Sequence, residues 1–173
     1  QAYYNVGSQE SYKRAFSTLE GLLTSDENLF KEMPEKDEVL YFYSLIASKL
    51  TDPDNSLYYL NVAKSSLENV LKEFPQGGFS DSSLNLLGTI LFNQREFEKA
   101  EETFIKLATE HPQSEFAGDA WFWASECADW QHKSAETVKF FRLQVFEKYP
   151  LSKYAADAYF NYYTFSEYLQ GQT

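Results

Sequence analysis

The sequence contains little of what metal sites and nucleophilic sites are built from. It has one cysteine and two histidines among 173 residues. Cys127 alone cannot form an internal disulfide, so cysteine usage leaves the redox compartment open. Cys127 and His132 lie five positions apart, which places them on different faces even of a continuous helix. We therefore predict no metal, no cofactor and no catalytic residue.

Basic residues are scarce as well. Fifteen Lys and Arg stand against 26 Asp and Glu, a formal charge of −11, which repels nucleic-acid phosphates and anionic membrane surfaces. We expect no nucleic-acid partner. The longest apolar run, 39–47, is about half of the 18 or so residues that a membrane span needs, so no direct membrane insertion is expected. The opening at Gln1, without Met or an apolar signal core, predicts a mature or trimmed fragment.

Glycine and proline are few, with 7 and 5 residues, whereas 15 Phe, 13 Tyr and 3 Trp are present. This balance is typical of a tightly packed chain with few long loops. The glycine-rich loops that bind nucleotides are absent from the sequence. The neighbouring carboxylates Glu101 and Glu102 fall in a segment rich in Lys and Glu, which indicates a solvated helix face. We predict that the protein is not an enzyme.

A repeat of 37 to 38 residues runs through the chain. HPQSEFAGDAWF at 111–122 matches YPLSKYAADAYF at 149–160, and FPQGGFSDSSL at 74–84 has the same frame. Apolar residues precede both Pro75 and Pro112 at steps of four and three positions, and this spacing places them on one helix face. These residues are Ala63, Leu67 and Val70 before Pro75, and Ala100, Phe104 and Leu107 before Pro112. Ala15, Leu19 and Leu22 predict a degenerate fourth copy.

Residues 81–114 resemble a 34-residue tetratricopeptide repeat in their small and large positions. The matching residues are Leu84, Leu87, Gly88, Leu91, Ala100, Phe104 and Pro112. An interior helix glycine costs about 1 kcal/mol relative to alanine, so Gly88 predicts a close approach of the two helices of one hairpin. The longer period with its P-x-S segment is similar to BamD-like outer-membrane assembly lipoproteins and to Tol-Pal coordinator proteins. That resemblance favours the bacterial periplasm or envelope, with the cytoplasm as the alternative.

The resemblance implies an all-α fold, a right-handed superhelical stack of antiparallel helical hairpins in one domain, 1–173. We predict a degenerate N-terminal unit at 1–35, repeats at 36–75, 76–112 and 113–150, and an unpaired C-terminal helix within 151–173. About eight helices are expected, at 11–23, 36–50, 55–74, 80–93, 96–110, 115–130, 133–148 and 153–169. Residues 24–34 are expected to be the only long linker.

The resemblance also implies a concave groove lined by the first helix of each unit, and hence a non-catalytic scaffold for protein–protein interaction. The predicted groove residues are Tyr41, Leu45, Asn85, Thr89, Asp119, Phe122, Glu126 and Phe160. Their aromatic and acidic character favours a peptide or protein partner with basic and apolar residues. If the groove is right, replacing Tyr41 and Phe122 with Ala weakens binding and leaves the fold intact. The alternative is that these aromatics only pack between units.

Two other functions stay open at this point. The repeats could be a structural spacer or assembly arm of a larger chain, or a component of bacterial envelope assembly. The last helix bears on this choice, because its aromatics surround nearly its whole circumference and predict burial on more than one side. We predict a C-terminal interface formed by Tyr159, Tyr163, Phe165 and Tyr168. It would meet either a further repeat or a second copy of the chain, which would make the protein self-associate.

Overall fold

The computed structural model describes residues 8–25, 33–51 and 54–170, except for the side chains of residues 25 and 165–170. Within these ranges the secondary structure consists of eight α-helices. They are α1 (Gln9–Ser25), α2 (Lys36–Lys49), α3 (Ser56–Glu73), α4 (Ser80–Asn93), α5 (Phe97–Glu110), α6 (Ala117–Trp130), α7 (Ala135–Lys148) and α8 (Ala155–Gln170). The predicted all-α class is confirmed, and the predicted helix ends agree within about two residues. None of the described helices is long and apolar enough to cross a membrane.

The chain divides into two compact units, Gln1–Ser83 and Leu84–Thr173. In the first unit α2 and α3 pack as a helical hairpin and α1 packs against α2. The predicted face of α3 is confirmed, because Ala63, Leu67 and Val70 are fully buried. On α1, Ala15 and Leu19 of the predicted degenerate copy are half-buried. Phe16 is its buried residue and stacks on Tyr43 with ring centroids 4.8 Å apart, whereas Leu22 is exposed.

In the second unit α6 packs against both α5 and α7, and α7 packs against α8. The predicted inward face of α5 is confirmed, since Ala100, Phe104 and Leu107 are fully buried. Gly88 faces Phe104, and a Cβ built on Gly88 would lie 2.7 Å from a carbon of that ring. The predicted close approach of the two helices therefore exists. Gly118 on α6 is packed as closely, against Tyr149 and Ser152 of the turn between α7 and α8. The sequence did not indicate this contact.

The proline segments repeat in backbone detail. The residues before Pro75, Pro112 and Pro150 all leave the helical region, with ψ values of 58°, 58° and 57°. A following proline disfavours the α conformation of the residue before it, so each second helix ends there. The next turns are also equivalent, because the N–H groups of residues 77, 114 and 152 each donate to the carbonyl three positions back.

The turns after α4 and α6 share a left-handed residue. Arg95 has φ 61° and His132 has φ 55°. In each turn the following N–H bonds to a carbonyl five residues earlier, from Glu96 to Leu91 and from Lys133 to Ala128. This is the Schellman end of a helix, where glycine is the usual left-handed residue. Neither turn has a glycine at this position.

Replacing Arg95 or His132 with Gly should raise the free energy of unfolding by up to about 1 kcal/mol. The left-handed conformation costs an ordinary residue about 1–2 kcal/mol, part of which the larger backbone entropy of glycine offsets. Urea unfolding followed by circular dichroism measures the change. Gln94→Gly, one position before Arg95 and without a positive φ, is the control and should lower stability. A loss of stability in both left-handed variants would contradict the prediction.

Candidate functional site

One of the two predicted groove residues of the first unit, Tyr41, belongs to an aromatic cluster on the first half of α2. Tyr41 and Leu45 are half-buried. The ring of Tyr41 lies 5.2 Å from that of Phe79 and 5.4 Å from that of Phe42. Burial, together with the charge of Asp81, raises the pKa of the Tyr41 hydroxyl. Phe42, which sequence reasoning missed, is the most exposed of these three aromatics.

On α4 the two predicted residues are accessible. Asn85 is half-buried, and Thr89 is exposed one turn later. The Thr89 hydroxyl donates to the backbone carbonyl of Asn85 at 2.8 Å, so this hydroxyl bonds within its own helix. Both side chains lie on one face of α4, as their spacing of four residues requires. They offer a small, uncharged contact surface.

Phe122 on α6 is not available as a groove wall. Its side chain is only 8% exposed. The ring stacks on Tyr154 with centroids 4.2 Å apart and an interplanar angle of 6°. Trp123 meets the same Tyr154 ring edge-on at 5.6 Å. The alternative that the aromatics pack between units therefore describes Phe122, since Tyr154 belongs to the following repeat.

The acidic residues predicted on α6 have partners within the second unit. Asp119 accepts a hydrogen bond from the Ser152 hydroxyl at 2.7 Å, and its other oxygen lies 2.9 Å from the Lys153 ammonium. Asp119 in turn raises the pKa of Lys153. Glu126 lies 3.4 Å from the guanidinium of Arg142, a residue that is itself buried. These pairs reduce the negative charge that Asp119 and Glu126 present to a ligand.

The helix α8 carries exposed aromatic side chains. Tyr159, Phe160 and Tyr163 are 54%, 66% and 49% exposed. Phe160 is thus the one predicted groove aromatic that is open to solvent, in contrast to its repeat equivalent Phe122. The side chains of Phe165 and Tyr168, predicted for the same C-terminal interface, lie outside the described residues.

A further aromatic surface, not anticipated from the sequence, lies beside the left-handed turns. Trp130, at the end of α6, is 55% exposed. It stacks on Phe97 at 5.6 Å with an interplanar angle of 10°. Next to it Arg95, Phe97 and Gln131 help to line an open cleft of about 380 Å³. The only sequence signal was a tryptophan at a predicted helix end.

The reactive side chain that stood out in the sequence, the thiol of Cys127, lies in the core of the second unit. Cys127 is fully buried, and burial together with Glu101 raises the pKa of its thiol to about 12. The thiol is therefore protonated at neutral pH, and thiolate is the nucleophilic form. In the described ranges no group of three or more His, Cys, Asp or Glu residues is placed to hold a metal ion.

Neither the protein-family models nor the curated proteins contain a match to this sequence.

Proposed function

We propose that this chain is a non-catalytic protein-binding scaffold of the tetratricopeptide type, which holds a peptide or protein segment that is basic and apolar. The single observation that carries the proposal is the repeated helix–proline–helix backbone with solvent-accessible residues on its first helices. Tandem helical hairpins of this kind commonly bind extended or helical segments. The net charge of −11 adds long-range attraction for a cationic partner.

The accessible part of the proposed groove in the second unit is Asn85, Thr89 and Phe160, because Phe122 is packed inside. None of these three carries a positive charge, and a carboxylate clamp needs Lys or Arg. The groove is therefore proposed for apolar segments flanked by Lys or Arg, and not for acidic chain ends.

A second candidate, the structural spacer or assembly arm, is favoured by one observation. The ring of Phe122 is already stacked on Tyr154 inside the second unit. The carboxylates of Asp119 and Glu126 already have partners there, Ser152 and Arg142. A groove whose main side chains are engaged in this way could stay empty. The two candidates differ in whether a small substitution on the accessible face of α4 affects binding.

The test uses a labelled peptide of alternating Phe and Lys, and a matched peptide in which Glu replaces each Lys. We expect the Lys peptide to bind at least about tenfold more tightly, and its affinity to fall as salt is raised from about 50 to about 500 mM. Fluorescence anisotropy measures both. Thr89→Arg should weaken binding about tenfold by adding a bulky cation to the groove.

Thr109→Arg on α5 is the matched control. Thr109 is also an exposed helix threonine whose hydroxyl bonds to the carbonyl four residues back, that of Ile105, but it lies on a second helix. Thr109→Arg should leave the affinity for the Lys peptide unchanged. Equal losses in both variants, or equal affinity for the Glu peptide, would contradict the proposal. Micromolar binding of an acidic C-terminal peptide that Asn85→Ala abolishes would contradict the absence of a carboxylate clamp.

A further inference from the structure

The aromatic cluster of the first unit has a counterpart in the second unit. In both units the ring directly before a first helix packs on two adjacent aromatic residues of the first helix before it. These trios are Tyr41, Phe42 and Phe79 in the first unit, and Phe122, Trp123 and Tyr154 in the second. The Phe79 centroid lies 5.2 and 5.8 Å from its two partners, and the Tyr154 centroid lies 4.2 and 5.6 Å from its own. We call them the first trio and the second trio.

The second trio binds an ammonium group of its own unit. The Nζ atom of Lys153 lies 4.9 Å from the centroid of the Tyr154 ring, a distance at which cation–π attraction acts. The same Nζ atom lies 2.9 Å from a carboxylate oxygen of Asp119, three residues before Phe122 on α6. An aromatic ring and a carboxylate therefore hold one lysine between them.

The first trio keeps the carboxylate of this arrangement. Glu38 lies three residues before the first aromatic residue of its trio, as Asp119 does. Glu38 is half-buried, and among the described residues its side chain has no hydrogen bond or ion pair. Asp37 adds a second carboxylate, whose Oδ2 atom lies 2.8 Å from the position of a Cβ built on Gly77. The local charge is therefore suited to a cation.

The lysine of the second trio has no counterpart in the first. Gly78 stands directly before Phe79, where Lys153 stands before Tyr154. A Cβ built on Gly78 would meet no atom within 4 Å. Space for a side chain is therefore present at the position from which Lys153 reaches its ring and its carboxylate.

The first trio is also accessible from solvent. Phe42 is 41% exposed, and Tyr41 is half-buried. Lys36 begins α2, but its ammonium group pairs with Glu73 and lies 5.8 Å from the centroid of the Phe74 ring. The cation position of the first trio is therefore open to a ligand.

We propose that the first trio and Glu38 bind the ammonium group of a lysine in the partner segment, in the place that Lys153 takes in the second unit. This inference rests on the proposed function and names a residue that the partner must carry. The template is an ammonium group on a four-carbon chain, which identifies the ligand as lysine. The carboxylates of Asp37 and Glu38 disfavour an acidic side chain at the same place.

The first test needs no partner, because Gly78→Lys supplies the missing lysine from the chain itself. Its urea midpoint should exceed that of Gly78→Gln, a control with a long uncharged side chain, by about 0.2–0.5 M. In a Glu38→Gln background this difference should shrink to less than about half, since the ammonium group then lacks its carboxylate. Circular dichroism follows the unfolding.

The second test uses the labelled peptide of alternating Phe and Lys. Gly78→Lys should weaken its binding at least about tenfold, because the cation position is then filled from within the chain. Glu38→Gln should weaken binding about fivefold. Gly78→Gln should leave the affinity unchanged, and so should Gln76→Lys, which adds the same charge at an exposed residue of the same turn. Fluorescence anisotropy measures all four.

The outcomes separate this inference from the proposed function. Failure of the Lys peptide to bind the parent chain would overturn both. Binding that is indifferent to Gly78→Lys and Glu38→Gln, or equal urea midpoints for Gly78→Lys and Gly78→Gln, would overturn this inference alone. Tighter binding after Lys31→Gln, at a position outside the described residues, would assign the cation position to the chain's own lysine. A dimer of the parent chain that Gly78→Lys dissociates in light scattering would assign it to a second copy.

Discussion

Phe122→Ala should lower the free energy of unfolding by about 3–5 kcal/mol. The ring is buried and stacked on Tyr154, so its removal loses apolar burial and leaves a cavity that the neighbouring Trp123 only partly fills. Chemical denaturation followed by tryptophan fluorescence measures the loss. We expect the second unit of the variant to unfold at a lower denaturant concentration than that of the parent chain. Below this transition the helix content of the variant should be native-like.

The matched control is Phe160→Ala, which removes the same side chain at the equivalent repeat position. Phe160 is 66% exposed, so less than about 1 kcal/mol should be lost. The comparison also tests whether Phe122 is a groove residue or a packing residue. If Phe122→Ala keeps full stability and instead weakens binding of the Phe–Lys peptide, Phe122 lines the groove and its stacking is dispensable.

Gly88→Ala and Gly118→Ala should each destabilise the protein by about 1–3 kcal/mol, although alanine is the better helix former by about 1 kcal/mol. A Cβ on Gly88 would lie 2.7 to 2.9 Å from three carbons of the fully buried Phe104 ring. A Cβ on Gly118 would lie 2.6 Å from the Cβ of Tyr149 and 2.9 Å from that of Ser152. Cβ atoms cannot rotate away, so the backbone itself must shift at Gly118.

Gly21→Ala is the control for helix propensity. Gly21 lies inside α1, and nothing is within 4 Å of the position of its Cβ. The substitution should therefore stabilise the chain by about 1 kcal/mol. Opposite signs at Gly21 and at the two packed glycines are the expected pattern in thermal unfolding. Stabilisation of similar size in all three variants would mean that the helices do not approach as closely as described.

The sequence by itself determined the helices and most of their inward faces. Proline stops a helix because it disfavours the α conformation of the residue before it, and the three proline segments therefore marked the ends of α3, α5 and α7. Steps of four and three predicted the buried faces of Leu67 and Phe104, since this spacing is a property of the helix alone. The close approach of two helices at Gly88 was predicted because an interior glycine lowers helix stability, and close packing compensates for that loss.

Only the tertiary structure decided which side chains are left for a partner. The sequence places Phe122 and Phe160 at the same repeat position, yet one is stacked on Tyr154 and the other is open to solvent. The sequence indicated no partner for the two carboxylates of the predicted groove, yet in the structure Asp119 pairs with Lys153 and Glu126 pairs with Arg142. Burial and ion pairing depend on residues more than ten positions away, and periodicity within one helix carries no information about them.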